Sequence, residues 1–186
     1  MGVQFAAVAI HLKSADEIAV LREAGRIVAR TFEHLEPFVV PGARLEDLDR
    51  RAETFIVSQG ARSLYKGYRG NPPSHPPFPG VICASVNQEI CHGIPDGRTL
   101  ADGDIVGIDI GLRYSGFCGD ACVTFAAGTP SPATARLLVV ARECLHRGIA
   151  AVRPGVRLGA VGAAIQAHAE ANGFNVVRVW GGHGIG

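Results

Sequence analysis

The chain has 186 residues, which is enough for one well-buried hydrophobic core. Its 18 basic and 17 acidic residues nearly cancel, so the charge balance argues against a protein that binds nucleic acid or anionic membranes through a basic surface. No apolar stretch reaches the length of a membrane span and the first ten residues lack the positive charge of a secretion signal, so we expect a cytoplasmic protein with no membrane association.

A pair of helices joined by a Pro-Gly turn occurs twice along the chain. The predicted helices span residues 14–35 and 45–58 in the first copy, and 132–151 and 158–171 in the second. Ser14 and Glu17 form a capping-box pattern at the first helix start. The turns at 41–42 and 154–155 align, and the glycines at 60 and 173 that end each second helix align with the same offset. We therefore predict a single domain of two related halves, about 14–128 and 131–186; the alternative is chance likeness between two amphipathic helices.

Strand-like runs follow the first copy of this pair. They cover residues 62–65, 80–86, 104–112 and 117–125. The Pro-rich segment 70–80 between the first two runs cannot be a helix or a central strand, and we expect it to rim a pocket, with no role assigned to His75. After the second copy only residues 174–180 resemble a strand, so we expect the second half to lack a counterpart of the first-half hairpin.

The two runs at 104–112 and 117–125 predict a β-hairpin that carries two aspartates. A four-residue turn centred between Tyr114 and Ser115 would place Asp109 directly opposite Asp120. Facing carboxylates repel each other unless a cation lies between them, which favours a metal site. The alternative is that both side chains point to solvent, since a one-residue slip would move one of them to the other face.

The five cysteines do not indicate a disulfide framework or a structural zinc site, because their number is odd and no paired CxxC motif is present. Most are expected to be buried thiols. Cys118 and Cys122 share the strand face of Asp120, so a thiolate near the metal is a lesser alternative.

Two histidines lie in glycine-containing segments. His92 precedes a Gly-Ile-Pro turn, where an imidazole can project into a cleft. His183 stands among four glycines, which leave the ring uncovered and suit a nitrogen ligand for a transition metal.

Several motifs occur in a fixed order along the chain. They are His-Gly-Ile-Pro at 92–95, Gly-Asp-Ile-Val at 103–106, Ile-Asp at 108–109, Gly-Phe-Cys-Gly-Asp at 116–120 and Gly-His-Gly-Ile-Gly at 182–186. Together they resemble the type I methionine aminopeptidases, from about residue 12 to the last residue. The resemblance implies an α+β pita-bread fold with two pseudo-symmetric halves, of which the second is incomplete here.

The resemblance also implies metal-dependent removal of the initiator methionine from nascent polypeptides. Two divalent ions (Co, Mn, Fe or Zn) would be held by two Asp, one His and two Glu. Asp109 would bind one ion, Asp120 would bridge both, and His183 would complete part of the shell. His92 would contact the substrate, and Tyr68, Phe78 and Cys83 would line the methionine side-chain pocket. Implied partners are peptides with an N-terminal Met and, in the family, the ribosome; the complete form would be a monomer.

This sequence departs from the family pattern after the last motif. No residue matches the second histidine that acts on the substrate or the two glutamate ligands. We therefore expect weak, single-ion binding and no intact catalytic set, so that this chain alone is inactive. A catalytically dead pita-bread binding module is the alternative. A proline-specific peptidase is less favoured, because little chain precedes the first helix.

Overall fold

The computed structural model describes residues 11–70 and 76–185. Its helices are α1 (Ala15–Leu35), α2 (Leu45–Ser58), α3 (Pro132–Ala151) and α4 (Leu158–Ala171), and a 3-10 turn at Glu36–Phe38 follows α1. Its strands are β1 (Arg62–Ser63), β2 (Cys83–Val86), β3 (Ile105–Tyr114) and β4 (Phe117–Ala126). None of the helices in the described ranges has both the length and the apolar character needed to cross a membrane.

The helices lie where the sequence predicted them. At the start of α1, the Ser14 hydroxyl accepts a hydrogen bond from the Glu17 N–H at 3.2 Å, and the Glu17 carboxylate accepts one from the Ser14 N–H at 2.7 Å. This reciprocal pair is the predicted capping box. The division of the domain into two related halves remains a prediction.

The Pro-Gly turns before α2 and α4 have similar backbone geometry. Gly42 and Gly155 have φ values of +90° and +80°, and the glycines that follow the two helices, Gly60 and Gly173, have φ values of +71° and +79°. Only glycine adopts this left-handed region without strain, so the matching positions of these glycines have a shared structural reason.

The sheet is antiparallel and is built around β3. One edge of β3 pairs with β4 along its whole length, and the other edge pairs with β2 at residues 106–109 and with β1 at residues 112–113. The long β3–β4 hairpin is therefore the platform to which the other strands attach.

The register of this hairpin differs from the predicted one by two residues. The observed pairs include Gly111 with Asp120, Asp109 with Cys122, and Tyr114 with Phe117. The turn contains only Ser115 and Gly116, with φ values of +46° and +90°. Positive φ at both central residues is typical of the type I′ turn, whose twist matches a tight hairpin. The prediction that Asp109 lies directly opposite Asp120 was wrong, but a two-residue shift preserves the face, so the aspartates are diagonal neighbours on one face.

The main hydrophobic core lies between the sheet and the first two helices. On β3 the alternate residues Val106, Ile108, Ile110 and Leu112 are fully buried, and they pack with Ile27 of α1 and other apolar residues of α1 and α2. Because strand residues alternate between faces, Asp109 points to the opposite side of the sheet. The core thus fixes the strands while leaving the aspartate face free for a site.

The helices α3 and α4 pack against each other around a second, smaller cluster. Its buried members are Val140, Cys144 and Ala169. Apolar side chains elsewhere on the pair are exposed, among them Leu145 at 58% and Leu158 at 86%. In the described part of the chain this helix pair therefore leaves apolar surface exposed.

Three of the predicted strands differ from the observed structure. Residues 174–180 are not a strand, since Phe174 and Val176 pack against the α3–α4 cluster instead of pairing with a neighbouring strand. Of the run 80–86, only Cys83–Val86 forms a strand. The N–H groups of Val81 and Ile82, just before it, donate hydrogen bonds to the Asp49 carboxylate instead of to another strand. The run 62–65 is shortened to β1.

Candidate metal and substrate site

A cavity of about 570 Å³ opens on the aspartate face of the sheet. All seven residues predicted for the site line it: Tyr68, Phe78, Cys83, His92, Asp109, Asp120 and His183. Its wall also contains Tyr65, Ile94 and three prolines of the Pro-rich segment, which the sequence had not singled out as site residues. The described part of that segment rims the cavity as expected, whereas His75 lies outside the described residues.

Three neighbouring strands bring the polar groups of the cavity together. Cys83 of β2 pairs with Asp109 of β3, and Asp109 pairs with Cys122 of β4. Asp120 lies two residues before Cys122 on β4 and therefore faces the same side. The carboxylates are held by sheet pairing, which is more rigid than a loop would be.

Asp109 is anchored by a tyrosine that sequence analysis missed. The Tyr65 hydroxyl donates a hydrogen bond of 2.8 Å to Oδ1 of Asp109 across 44 residues of sequence. Burial, and then this bond to a carboxylate, raise the pKa of Tyr65 well above its usual value, so the phenol stays protonated as the donor. A possible signal was Gly111 within β3, since glycine inside a strand often marks a close approach.

Asp120 and His183 interact electrostatically across the cavity. Partial burial raises the pKa of Asp120, the charge of Asp109 raises it further, and His183 opposes both effects. A hydrogen bond to the Gly184 carbonyl raises the pKa of the exposed His183 ring, with smaller contributions from Asp120 and then Asp109. A cation placed among these groups would relieve the repulsion between the carboxylates.

The hydrogen bond of His183 also defines which ring nitrogen is available. Nδ1 lies 2.9 Å from the Gly184 carbonyl oxygen. Because a carbonyl only accepts, Nδ1 must carry the proton, and Nε2 keeps its lone pair when the ring is neutral. His183 can therefore act as a nitrogen ligand through Nε2.

His92 is held in an unusual backbone conformation by β2. Its φ is +60°, in a region that residues other than glycine rarely occupy. The next residue is clamped at both ends, since the Gly93 N–H donates to Ser85 Oγ at 3.1 Å and the Ala84 N–H donates to the Gly93 carbonyl at 2.8 Å. The rings of His92 and Trp180 form a T-shaped contact, with ring centres 5.4 Å apart and planes at 86°. Strain of this kind is typical of residues whose position is constrained by function.

The apolar part of the cavity is formed by aromatic rings and prolines. Phe78 packs edge-on against Tyr65, with ring centres 6.4 Å apart and planes at 82°. Tyr68 is joined to the Phe78 backbone, because the Phe78 N–H donates to the Tyr68 carbonyl at 2.8 Å. These groups form a concave apolar wall next to the charged groups, an arrangement that suits a ligand with an apolar end and a polar end.

The thiols near the carboxylates are expected to be neutral. Burial, followed by the charge of Asp109, raises the pKa of Cys83 to about 12; desolvation and the same charge raise the pKa of Cys122 to about 11, although its side chain is exposed. The prediction that most of the cysteines are buried was wrong, since only Cys83 and Cys144 are. Cys122 and Cys91 line a second cavity of about 110 Å³ next to Asp109. A bound metal ion lowers the pKa of a thiol that coordinates it, so the lesser alternative of a thiolate ligand stays a prediction.

The donor set suits a divalent cation in chemical type. Two carboxylates and an imidazole nitrogen are ligands that Mn, Fe, Co and Zn accept. In the portion of the chain that the structure describes, no three His, Cys, Asp or Glu side chains form a group already arranged to hold an ion. The fit is therefore one of donor chemistry and of a shared cavity, and a bound ion would have to draw these side chains closer together.

Comparison with known proteins gives a consistent picture. Residues 19–186 match the model of metallopeptidase family M24. The chain is 46% identical to methionine aminopeptidase B of Synechocystis sp. over 94% of this chain and 64% of that protein, and 45% identical to methionine aminopeptidase 1 of Bacillus subtilis over 95% and 68%. It thus spans about two thirds of the length of these curated relatives.

A solved structure matches the fold closely. The crystal structure of methionine aminopeptidase from Rickettsia prowazekii superimposes with a TM-score of 0.89 at 34% identity, over 95% of this chain and 68% of that one. The predicted α+β pita-bread class is confirmed.

Proposed function

Because the chain belongs to metallopeptidase family M24, among its methionine aminopeptidases, we propose that its cavity binds the N-terminal methionine of a peptide and serves the metal-dependent removal of that residue. The observation that carries the proposal is the convergence of all seven predicted residues on one cavity. Their positions span more than a hundred residues of sequence, so a common cavity is not expected by chance.

We assign substrate binding to the apolar residues of the cavity and metal binding to its charged residues. Tyr68, Phe78 and Cys83 surround the methionine side chain, whose flexible thioether suits an apolar wall of aromatic rings. His92 also lines the cavity and is assigned the contact with the substrate close to the peptide bond. Its strained backbone and the contact with Trp180 fix the ring orientation.

The metal end of the cavity is assigned to Asp109, Asp120 and His183. Membership of a metallopeptidase family implies divalent ions; the identity of the metal, the two ions of the complete family and the single, weakly bound ion expected in this chain are part of the proposal. When bound, a divalent ion lowers the pKa of a coordinated water and polarises the scissile carbonyl. The chain's own contribution is two carboxylates fixed by the sheet and an imidazole with Nε2 available.

We expect negligible turnover from the 186-residue chain alone. The resemblance assigns two glutamates to the metal shell and a second histidine to the substrate, and no residue of the chain matches them. Ligand binding should therefore be weak. Ribosome association, a monomeric state and a cytoplasmic location are further predictions from the resemblance.

The experiment that tests the proposal is peptide binding by the purified chain in the presence of Zn²⁺, which is diamagnetic and therefore compatible with NMR detection. Saturation-transfer NMR should detect Met-Ala-Ser through its thioether methyl, while Lys-Ala-Ser of equal length should show no transfer, because an ammonium group cannot be desolvated against the apolar wall. Equal signals from the two peptides would refute a methionine site and favour an interaction module. Release of methionine from Met-Ala, abolished by a chelator, would support the function but contradict the expected inactivity.

A further inference from the structure

Tyr65 touches the metal end of the cavity, although no motif in the sequence marks it. We propose that Tyr65 is a positioning residue that holds Oδ1 of Asp109 and thereby presents Oδ2 to a divalent cation. The inference rests on the proposed function, since it concerns the ion that Asp109 would bind.

The hydrogen bond between the two residues is well defined. Tyr65 Oη lies 2.8 Å from Asp109 Oδ1, and the phenol must be the donor because a carboxylate only accepts. Both side chains are half-buried. A bond between a hydroxyl and an ionised carboxylate is among the stronger hydrogen bonds in proteins, and partial burial strengthens it.

The neighbouring backbone provides a seat for the phenol. A Cβ atom at Gly111 would lie 2.6 Å from Cε1 and 3.0 Å from Oη of Tyr65, so only a residue without a side chain leaves room for the ring. The Leu64 N–H donates to the Gly111 carbonyl at 2.9 Å and so ties the segment next to Tyr65 to β3. The edge contact with Phe78 supports the ring from another side. The phenol is therefore fixed from several directions.

Fixing one carboxylate oxygen has a direct consequence for metal binding. A free aspartate rotates about its terminal bond, and an ion must stop that rotation when it binds. With Oδ1 held by the phenol, the ordering has already occurred and Oδ2 is left as the ligand atom. Loss of such outer-shell partners typically weakens metal binding by about 10- to 100-fold.

The first test replaces the phenol by a ring of the same shape. Free Mn²⁺ is measured by electron paramagnetic resonance during titration of the purified chain, because this method follows weak binding. Tyr65→Phe should raise the Mn²⁺ dissociation constant about tenfold. Tyr114→Phe removes a hydroxyl from the same strand as Asp109 at a position outside the cavity, and it should leave the constant unchanged.

A second variant disturbs the same bond without changing Tyr65. Gly111→Ala should push the ring away and reproduce the loss. Gly107→Ala is the matched control on the same strand face, since its Cβ would meet Thr124 and Cys122 at ordinary distances of 3.7 and 3.8 Å. If both substitutions act through the Tyr65–Asp109 hydrogen bond, their effects should not add. The Mn²⁺ dissociation constant of the double variant Tyr65→Phe/Gly111→Ala should then be no higher than the higher of the two single-variant constants. Two merely structural defects would instead add.

The visible spectrum of bound Co²⁺ gives an independent readout. Release of Oδ1 from the phenol would let the carboxylate bind through both oxygens, raise the coordination number and weaken the absorption bands, which general destabilisation would not do. An unchanged dissociation constant and spectrum in Tyr65→Phe, together with loss of binding in Asp109→Asn, would overturn this inference alone. If the chain does not bind Mn²⁺, or if Asp109→Asn leaves Mn²⁺ binding unchanged, the metal assignment of the proposed function is overturned and this inference with it.

Discussion

The turn after His92 offers a sharp test of how the site is positioned. A Cβ atom at Gly93 would lie 2.2 Å from the Ala84 carbonyl oxygen and 2.8 Å from Ser85 Cα. Both obstacles are backbone atoms of β2, which is paired with β3 and buried. The Gly93→Ala substitution therefore cannot be relieved by a side-chain rotation, and the turn must move.

The cost follows from the contacts that would be lost. Forced overpacking typically costs about 1 to 3 kcal/mol. The two hydrogen bonds that clamp Gly93, at 2.8 and 3.1 Å, each contribute about 1 kcal/mol. We expect Gly93→Ala to lower the free energy of unfolding by about 3 to 5 kcal/mol, and the melting temperature by about 6 to 20 °C for a domain of this size.

The assay is urea and thermal unfolding of the purified chain, followed by circular dichroism. Gly162→Ala is the control: nothing lies within 4 Å of its Cβ position in α4, so this change should stabilise the chain by up to about 1 kcal/mol. The fluorescence of Trp180, the single tryptophan, should also change in Gly93→Ala, because His92 contacts its ring. A Gly93→Ala variant within about 0.5 kcal/mol of the parent chain would refute the reasoning.

Three further predictions follow from the same contacts. Gly119→Ala should destabilise the chain measurably in the same unfolding assay, because its Cβ would lie 2.7 Å from the backbone of Ala24 in α1. An unaltered melting temperature would show that α1 is not tightly packed against the β3–β4 hairpin. Burial raises the pKa of Asp49 in the folded state above its usual value of 3.8. Between the unfolded and folded pKa values the folded state therefore binds more protons than the unfolded state. The stability of the parent chain relative to Asp49→Asn should then fall as the pH rises through this range. A relative stability that rises instead, in unfolding measurements between about pH 3.5 and 6, would contradict the sign. A disulfide reagent at pH 8 should label the exposed Cys91 well before Cys83, which is buried and whose pKa is raised to about 12. Peptide mass spectrometry gives the order of labelling, and equal rates for the two cysteines would contradict the burial of Cys83.

The sequence was sufficient to predict the helices and the strand faces. The apolar spacing and the end signals of α1 to α4 act locally, so their bounds follow from nearby residues. The face of Asp109 and Asp120 was also predicted correctly, because side chains in a strand alternate regardless of the exact register. The absolute register was not, since it depends on whether Ser115 adopts a positive φ, and serine does so only when the tight turn requires it.

Contacts between distant segments were beyond the reach of sequence patterns. The Tyr65–Asp109 bond joins residues 44 positions apart, and neither residue carries a local signal for the other. The strand expected at 174–180 failed for a related reason, because an apolar run becomes a strand only where another strand can pair with it. The family resemblance named Tyr68, Phe78 and Cys83, which no local pattern had marked, since it carries spatial information that periodicity does not.

The central claim is that Asp109, Asp120 and His183 surround one cation site. Anomalous X-ray diffraction from crystals of the chain soaked in Mn²⁺ tests this directly, because the anomalous signal locates the ion without assumptions about its ligands. We expect a peak within bonding distance of both carboxylates and of His183 Nε2. If the Mn²⁺ peaks lie only at other places and neither aspartate binds an ion, the claim is contradicted.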